Sequence, residues 1–405
     1  MTGRLVSPMQ GAAAFSRASR WSFRRSTLAL VFLSLLGACV SEGSTQGRGP
    51  TFGKEVLHIA TGAGAYDLAW SPDQKSLVGV LERSLVAWNL SDGSVRWKIP
   101  FVRQLGGGGR IGFLDGGARI VVHYSKAQTI LDKSNHGYAL TIVDAQSGRV
   151  IQDVQFTQGN PSAPDRPVPA NRAGAFDISE DGHTIALALN ILGPVVIADT
   201  GSWREIWRSP SSEAVAFMAF DERRDRLILA RKSGNGRIQT WRLSSKSKIA
   251  DFTTYKTGLS RMAVDRSTGV VFTGGDGDLY PVRPPTPGQP ATFEGTEDDP
   301  NTLVRAWDPA NGNLLRTYLG PGRKVRGLSL SPNGKYIVAA KSRSLHEQAD
   351  AYVLAWEVAS GRLLAATSYG QGFPDAVAFS PGGERIAISS DQGLKVLLLD
   401  PQLFP

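Results

Sequence analysis

Cysteine and histidine are both scarce in this chain, and their scarcity excludes several kinds of chemistry. The single cysteine, Cys39, cannot form an internal disulfide. No two histidines have the spacing of metal ligands, so the sequence predicts no zinc site. GxSxG and phosphate-binding-loop motifs are absent too, and we expect no catalytic centre of these types and no cofactor. The histidines are His58, His123, His136, His183 and His346.

An excess of basic residues is also missing from most of the chain, although the formal net charge is +9. Five arginines and no acidic residue lie within residues 1–38, which leaves 40 basic against 36 acidic residues in the remainder. An excess of four positive charges is typical of a soluble protein and is too small to indicate a nucleic-acid-binding surface. The sequence therefore predicts no nucleic-acid partner.

Apolar runs long enough to cross a membrane are absent as well. The run TLALVFLSLL, residues 27–36, is too short for a membrane-spanning helix, which needs about 20 residues. It follows Arg24 and Arg25 and has the form of the apolar core of a secretory signal. The next residues, Leu36-Gly37-Ala38-Cys39, resemble the lipobox of bacterial lipoproteins, which implies that Cys39 is lipidated and becomes the first mature residue. We expect residues 1–38 to be a signal peptide and 39–52 a flexible tether.

The expected cellular location of the protein follows from this resemblance. The choice of membrane, the export route and the start of translation each have an alternative. We expect a lipid-anchored protein of a bacterial cell envelope, and Val40 after the cysteine favours the outer membrane, facing the periplasm, over the inner one. Arg24 and Arg25 are compatible with either general secretion or twin-arginine export. Met9 is an alternative start of translation.

Beyond the tether, one pattern of turns and apolar runs recurs seven times. Each unit has a short β-rich run, a tight first turn, two further runs separated by turns, and a fourth run. Turns of this kind between apolar runs predict antiparallel hairpins. The first turns are SPDQK at Ser71, LDGGA at Leu114, SEDGH at Ser179, DERRD at Asp221, DRSTG at Asp265, SPNGK at Ser331 and SPGGE at Ser380.

The repeat predicts an all-β fold, a seven-bladed β-propeller of four-stranded antiparallel blades over residues 53–405. The segment from Ala376 to Asp400 is similar to a WD40 repeat, and the segment that begins at Ala139 resembles the related YVTN type. The last unit has three runs only, so we expect Lys54 to Ala60 to complete it beside Leu394 to Leu399 and close the ring.

The resemblance to WD40 proteins is incomplete. No unit has the Gly-His pair, and Trp-Asp occurs only at Trp307-Asp308. We therefore do not expect the hydrogen-bonded Asp-His-Ser-Trp network of that family. Apolar packing between sheets is predicted to hold the blades together.

Alternation of strand direction places the connections on two faces of the disc. First-to-second and third-to-fourth turns are short and share one face. The other face receives every long insertion, starting at Phe101, Ala127, Thr157, Asp278 and Arg343. Long loops on a rigid scaffold are typical of binding sites, although neutral insertion is the alternative. The predicted partner-binding residues are Arg103, Tyr280, Arg283, Phe293 and His346.

The acidic residues from Asp276 to Asp299 are either a calcium site or a solvated loop.

These observations favour a monomeric, lipid-anchored scaffold that binds an unidentified envelope protein through its loop-rich face. An accessory role like that of the propeller subunit of outer-membrane protein assembly machinery is a related possibility. The alternative from another class is an enzyme or redox protein resembling propeller lactonases or quinoproteins, with its site in the central channel. The predicted channel-lining residues are Asp67, Asp177, Arg261 and Arg326.

Overall fold

The computed structural model describes ten segments of the chain, which form one ring of β-sheets. The segments are residues 51–100, 110–123, 139–156, 175–188, 194–210, 215–231, 236–277, 300–342, 350–370 and 372–405. They contain 28 strands in seven sheets, and each sheet has four antiparallel strands. Within these segments there is no α-helix, only three single-turn 3₁₀ helices. The predicted seven-bladed, all-β propeller is thereby confirmed.

The strands are numbered in chain order, beginning with β1 at Gly53–Ile59. Blade 1 is β2 (Asp67–Trp70), β3 (Ser76–Leu81), β4 (Ser84–Asn89) and β5 (Val95–Pro100). Blade 2 is β6 (Arg110–Leu114), β7 (Arg119–His123), β8 (Ala139–Asp144) and β9 (Val150–Gln155). Blade 3 is β10 (Phe176–Ile178), β11 (Thr184–Ala188), β12 (Val195–Asp199) and β13 (Glu205–Arg208). Blade 4 is β14 (Val215–Asp221), β15 (Arg226–Arg231), β16 (Arg237–Arg242) and β17 (Ser247–Thr253).

The remaining blades follow the same plan. Blade 5 is β18 (Leu259–Val264), β19 (Val271–Gly275), β20 (Val304–Trp307) and β21 (Leu314–Tyr318). Blade 6 is β22 (Val325–Leu330), β23 (Tyr336–Lys341), β24 (Ala351–Glu357) and β25 (Leu363–Gly370). Blade 7 is β26 (Pro374–Phe379), β27 (Arg385–Ser390), β28 (Gly393–Leu399) and, from the other end of the chain, β1.

The first strand of each of blades 1 to 7 is innermost, and these strands meet around the axis. Each inner strand contacts the inner strands of the two neighbouring blades, and β26 of blade 7 contacts β2 of blade 1. The ring is therefore closed.

Strand β1 closes the ring by pairing with β28. Gly53 lies opposite Leu399 and Ile59 opposite Leu394, so the strand begins and ends one residue earlier than predicted. Gly53 has a φ of 147°, and a side chain there would collide with the carbonyl oxygen of Leu398. Phe52, which the sequence assigned to the tether, is 1% exposed and stacks on Phe404. The part of the chain held by the ring therefore includes Phe52.

Apolar side chains join each blade to the next. Seven clusters of buried residues occupy the seven gaps between consecutive blades, including the gap between blades 7 and 1. In the gap between blades 1 and 2, for example, Val78 and Val80 share a cluster with Ile120 and Val122. Alternating apolar residues on both faces of each sheet account for this packing. It agrees with the expectation that apolar contacts hold the blades together.

One polar network was not expected from the sequence. In blade 5 the indole N–H of Trp307 donates to Oγ1 of Thr273 at 2.8 Å, and the hydroxyl of Tyr255 lies 2.8 Å from the same oxygen. The same hydroxyl lies 2.9 Å from the carbonyl oxygen of Thr273 and 3.0 Å from that of Leu303, which are the acceptors for its single hydrogen. The blade with the Trp-Asp pair thus has a buried Trp–Thr–Tyr network.

The two faces of the disc differ in the length of their connections. We call turn face the side with the first-to-second and third-to-fourth turns, which have four residues (between Leu114 and Arg119, for example) to six (between Val264 and Val271). The opposite side is called the loop face. Its connections reach 28 residues between Gly275 and Val304 and 20 between Gln155 and Phe176. Every connection longer than six residues belongs to the loop face.

Candidate functional site

The partner-binding residues predicted on the loop face fall in segments outside the described residues. These residues are Arg103, Tyr280, Arg283, Phe293 and His346. Of the acidic residues considered for calcium, Asp276 is described and forms an ion pair with Lys324. The signal peptide and Cys39 also lie outside the described residues.

Charged side chains from five blades converge at the loop-face end of the central channel. Each lies within the first three residues of its inner strand, and inner strands begin at the loop face. Arg261 of blade 5 is close enough to all of the others to interact with them electrostatically, including those across the axis. The others are Asp67 of blade 1, Arg110 of blade 2, Arg326 of blade 6 and Asp375 of blade 7.

Asp67 links blade 1 to blade 2. Its Oδ2 accepts a hydrogen bond of 3.1 Å from the backbone N–H of Ile111. Burial raises the pKa of the Asp67 carboxyl above its usual range, and the guanidinium groups of Arg110 and Arg261 oppose this rise. An inner strand has no sheet neighbour on its inner edge, so this carboxylate satisfies a backbone donor that would otherwise lack a partner.

Asp177 has the same role between blades 3 and 4, nearer the turn face. Its Oδ2 accepts from the backbone N–H of Phe220 at 2.8 Å and from Nη2 of Arg266 at 2.8 Å. Nη2 of Arg266 also donates to the carbonyl oxygen of Ile178 at 2.9 Å. Burial raises the pKa of Asp177, and Arg266 opposes the rise. Because Arg266 follows the inner strand of blade 5, this contact reaches across blade 4.

The arginines at the loop-face end are not equally paired. Arg326 forms an ion pair with Asp375, with 2.5 Å between Nε and Oδ1. Arg110 lies over the ring of Phe217, 4.7 Å from its centroid. Among the described residues, Arg261 hydrogen-bonds only to the carbonyl oxygen of Ser260, at 2.8 Å from Nη1. Burial lowers the pKa of Arg261 to about 10, Arg110 adds to this decrease, and Asp67 opposes it.

A cavity of about 750 Å³ lies in the channel on the side of blades 1 to 5. Asp67 and Arg110 line the end of the cavity that is nearer the loop face, and Asp177 and Arg266 line its wall. At the turn face it is bordered by turn residues such as Pro72 and His183. This volume is within the range of small-molecule sites.

The described residues contain neither a metal-binding cluster nor a membrane-spanning helix. Within those segments, no group of three or more His, Cys, Asp or Glu side chains is placed to hold a metal ion. None of their helices has the length and apolar character needed to cross a bilayer.

The structure therefore places Asp67, Arg261 and Arg326 together at the loop-face end, whereas Asp177 lies closer to the turn face. Two partners, Asp375 and Arg266, were missed by the sequence analysis. Asp375 immediately precedes the apolar inner run of its unit, as Arg326 does in blade 6, so alignment of the inner runs could have found it. Arg266 belongs to a turn, and nothing in its local sequence indicates a contact two blades away.

Comparison with known families matches one segment of the chain. Residues 312–350 match the family model "WD domain, G-beta repeat". The match runs from the turn before β21 to the end of the connection before β24, about one repeat of the ring. No curated protein is similar to the chain. The chain is thus a seven-bladed β-propeller that contains a WD40 repeat, and this fold is consistent with a protein-interaction module.

Proposed function

We propose that this protein is a lipid-anchored scaffold of a bacterial cell envelope that binds a partner protein through the loop face of its propeller. The proposal includes an anchor at Cys39, an outer-membrane location facing the periplasm, and a role in binding rather than in catalysis.

The observation that carries this proposal is the sidedness of the connections. All connections longer than six residues join strand ends on the loop face, whereas turn-face connections have four to six residues. Neutral insertions would have accumulated on both faces, since longer loops cost little closure entropy. A closed ring with a packed cluster in every gap is a rigid support for such loops.

Several side chains of the turn face are engaged in contacts within the ring. In the turn after β10, for example, the hydroxyl of Ser179 donates to Asp181 at 2.6 Å. Oε1 of Glu180 accepts a hydrogen bond of 3.1 Å from Nη2 of Arg223, which belongs to the neighbouring blade 4. Such internal contacts occupy turn-face side chains that a partner would otherwise use.

Two further observations support the remaining parts of the proposal. Both channel carboxylates predicted as candidates, Asp67 and Asp177, accept hydrogen bonds from the next blade, which favours a structural role over a catalytic one. The ring is closed by the chain's own β1, so a monomer needs no second copy to complete the fold. The tether ahead of Phe52 would keep this ring near the membrane.

Capture of cross-linked partners from the cell envelope tests the function. The variant to compare with the wild type replaces residues 278–299 by a short Gly-Ser linker. It retains residues 300–302, because Thr302 is buried and Asn301 accepts from the backbone N–H of Lys256. We expect the deletion to abolish recovery of the partner while the melting temperature changes little.

The matched control changes the other face, with Lys75→Ala and Lys335→Ala combined. Both residues are exposed on the turn face, and we expect unchanged recovery of the partner. Full recovery after the loop deletion, or loss of recovery in the turn-face variant, would reject the loop face as the binding surface.

A further inference from the structure

Among the described residues, the loop-face end of the channel has more guanidinium groups than carboxylates. Arg110, Arg261 and Arg326 face Asp67 and Asp375 there, so these five residues together carry one positive charge in excess. All five residues are partly buried, and charges that are partly withdrawn from water interact more strongly than fully solvated ones, so an unbalanced charge there is unfavourable. An excess of this kind is stabilised when an anion binds.

The excess is located at Arg110 and Arg261. Arg326 and Asp375 neutralise each other as an ion pair. Among the described residues, Asp67 is then the carboxylate that faces the other two guanidinium groups. Of these, Arg261 has a single hydrogen bond, to Ser260, among the described residues, although a guanidinium has five N–H donors. Arg110 contacts the face of Phe217, which leaves the edge of its guanidinium available for hydrogen bonds.

The surroundings of these two groups favour an anion in a second way. Burial and the mutual repulsion of Arg110 and Arg261 lower the pKa of Arg261 to about 10, so the charged form lacks compensation. The cavity of about 750 Å³ is lined at this end by Arg110 and Asp67, and Met262, the residue after Arg261, also lines it.

We propose that Arg110 and Arg261 form a binding site for a monocarboxylate anion at the loop-face end of the channel. A carboxylate is planar and accepts paired hydrogen bonds from a guanidinium. A single negative charge balances the excess of one, whereas a dianion such as sulfate would leave an excess of negative charge beside Asp67 and Asp375. The carboxylate comes from a free organic acid or from an acidic side chain of a docked protein. The site depends on the closed ring and not on the proposed scaffold function.

Titration calorimetry of the purified full chain with acetate and benzoate, at constant ionic strength, tests the site. We expect Arg261→Gln and Arg110→Gln each to weaken binding about tenfold, the loss of one charge-assisted contact. We expect Asp67→Asn to strengthen binding severalfold, because it removes the opposing charge while its amide oxygen still accepts from Ile111. A merely structural role would not move affinity in opposite directions in these variants.

Controls separate a local effect from a loss of fold. Arg362→Gln, whose side chain is 66% exposed on the turn face, should bind like the wild type. Each variant is compared by circular dichroism and melting temperature without ligand, and Arg110→Gln serves if Arg261→Gln fails to fold. Undiminished binding in both arginine variants, weaker binding in Asp67→Asn, or tighter binding of sulfate than of benzoate would overturn the proposal.

The partner-capture experiment distinguishes the two sources of the carboxylate. If an acidic side chain of the partner supplies it, Arg261→Gln reduces both benzoate binding and partner recovery. If a free acid supplies it, Arg261→Gln reduces benzoate binding alone. Either result supports the site, and because benzoate binding is measured without a partner, failure of the scaffold function leaves this test intact.

Discussion

At the scale of single residues, a buried serine organises several of the turn-face hairpins. The hydroxyl of Ser331, 2% exposed, accepts from the backbone N–H of Tyr336 at 2.9 Å and donates to Oδ1 of Asn333 at 2.7 Å. Ser71 makes the same contacts with Ser76 and Asp73. The serine of these Ser-Pro-x-Gly-like turns is therefore a structural residue, and its recurrence explains why the repeat is visible in the sequence.

Replacing this serine by alanine should destabilise the ring. Ser331→Ala leaves the backbone N–H of Tyr336 buried without its partner, and we expect a loss of about 1–3 kcal/mol in the free energy of unfolding. Ser71→Ala should cost a similar amount at pH 7. Denaturation by urea measures both.

The two variants should differ on acidification. The Ser71 hydroxyl holds the pKa of Asp73 below its usual range, so this contribution is complete above that range and is lost as the pH falls through the lowered pKa. Asn333 does not titrate. The penalty of Ser71→Ala should therefore shrink at about pH 3 relative to pH 7, while that of Ser331→Ala should not. Equal shrinkage in both would contradict the assigned hydrogen bonds.

The aspartates of the inner strands also act through contacts of single residues. Sequence alone left Asp67 and Asp177 as channel-lining candidates, because an aspartate in an apolar run is compatible with catalysis and with structure. Which backbone N–H each one meets depends on the neighbouring blade, about 43 residues further along the chain in both cases. No local pattern encodes such a contact.

At the scale of elements, β1 is the strand on which the closed ring depends. Its pairing with β28 was predicted by counting runs in the last unit, since an incomplete blade leaves an unpaired edge. The predicted bounds were one residue late at each end, and Phe52 was assigned to the tether on composition. Burial of Phe52 against Phe404 could not be anticipated from the polar residues before it.

Truncating Phe52 should weaken the closure far more than truncating an exposed residue of β1. Phe52→Ala removes a side chain that is 1% exposed in the cluster between blades 6 and 7, and we expect a loss of about 3–5 kcal/mol. Val56→Ala is the matched control, because Val56 is 47% exposed on β1 and its loss should cost less than about 0.5 kcal/mol.

Thermal and urea denaturation of both variants measure the difference. Two small and equal effects would mean that the segment before β1 does not stabilise the ring.

At the scale of the whole molecule, the observed fold and the proposed cellular location rest on separate parts of the chain. The ring comprises described residues from Phe52 onward, whereas the anchor is predicted from residues 24–39. Several acyl chains on one cysteine make a durable anchor, since each buried methylene contributes about 0.8 kcal/mol and one chain alone binds reversibly.

Cys39→Ser should consequently release the protein from membranes without affecting the ring. We expect the wild type to float with membranes in a density gradient and Cys39→Ser to remain in the soluble fraction. Ser41→Ala is the control that retains the cysteine and should float. A Cys39→Ser protein that floats like the wild type would reject the anchor.

The sequence by itself determined the number of blades, the strand order and the face that receives the long connections. Each of these follows from turn residues and apolar runs that lie within one hairpin of each other, so local chemistry records them. Only the tertiary structure decided that Arg110, Arg261 and Asp67 meet, that Asp375 pairs with Arg326, and that Tyr255 completes a network with Thr273 and Trp307. Ring closure brings the starts of the inner strands of different blades to one axis, and the charge balance there depends on residues far apart in the chain.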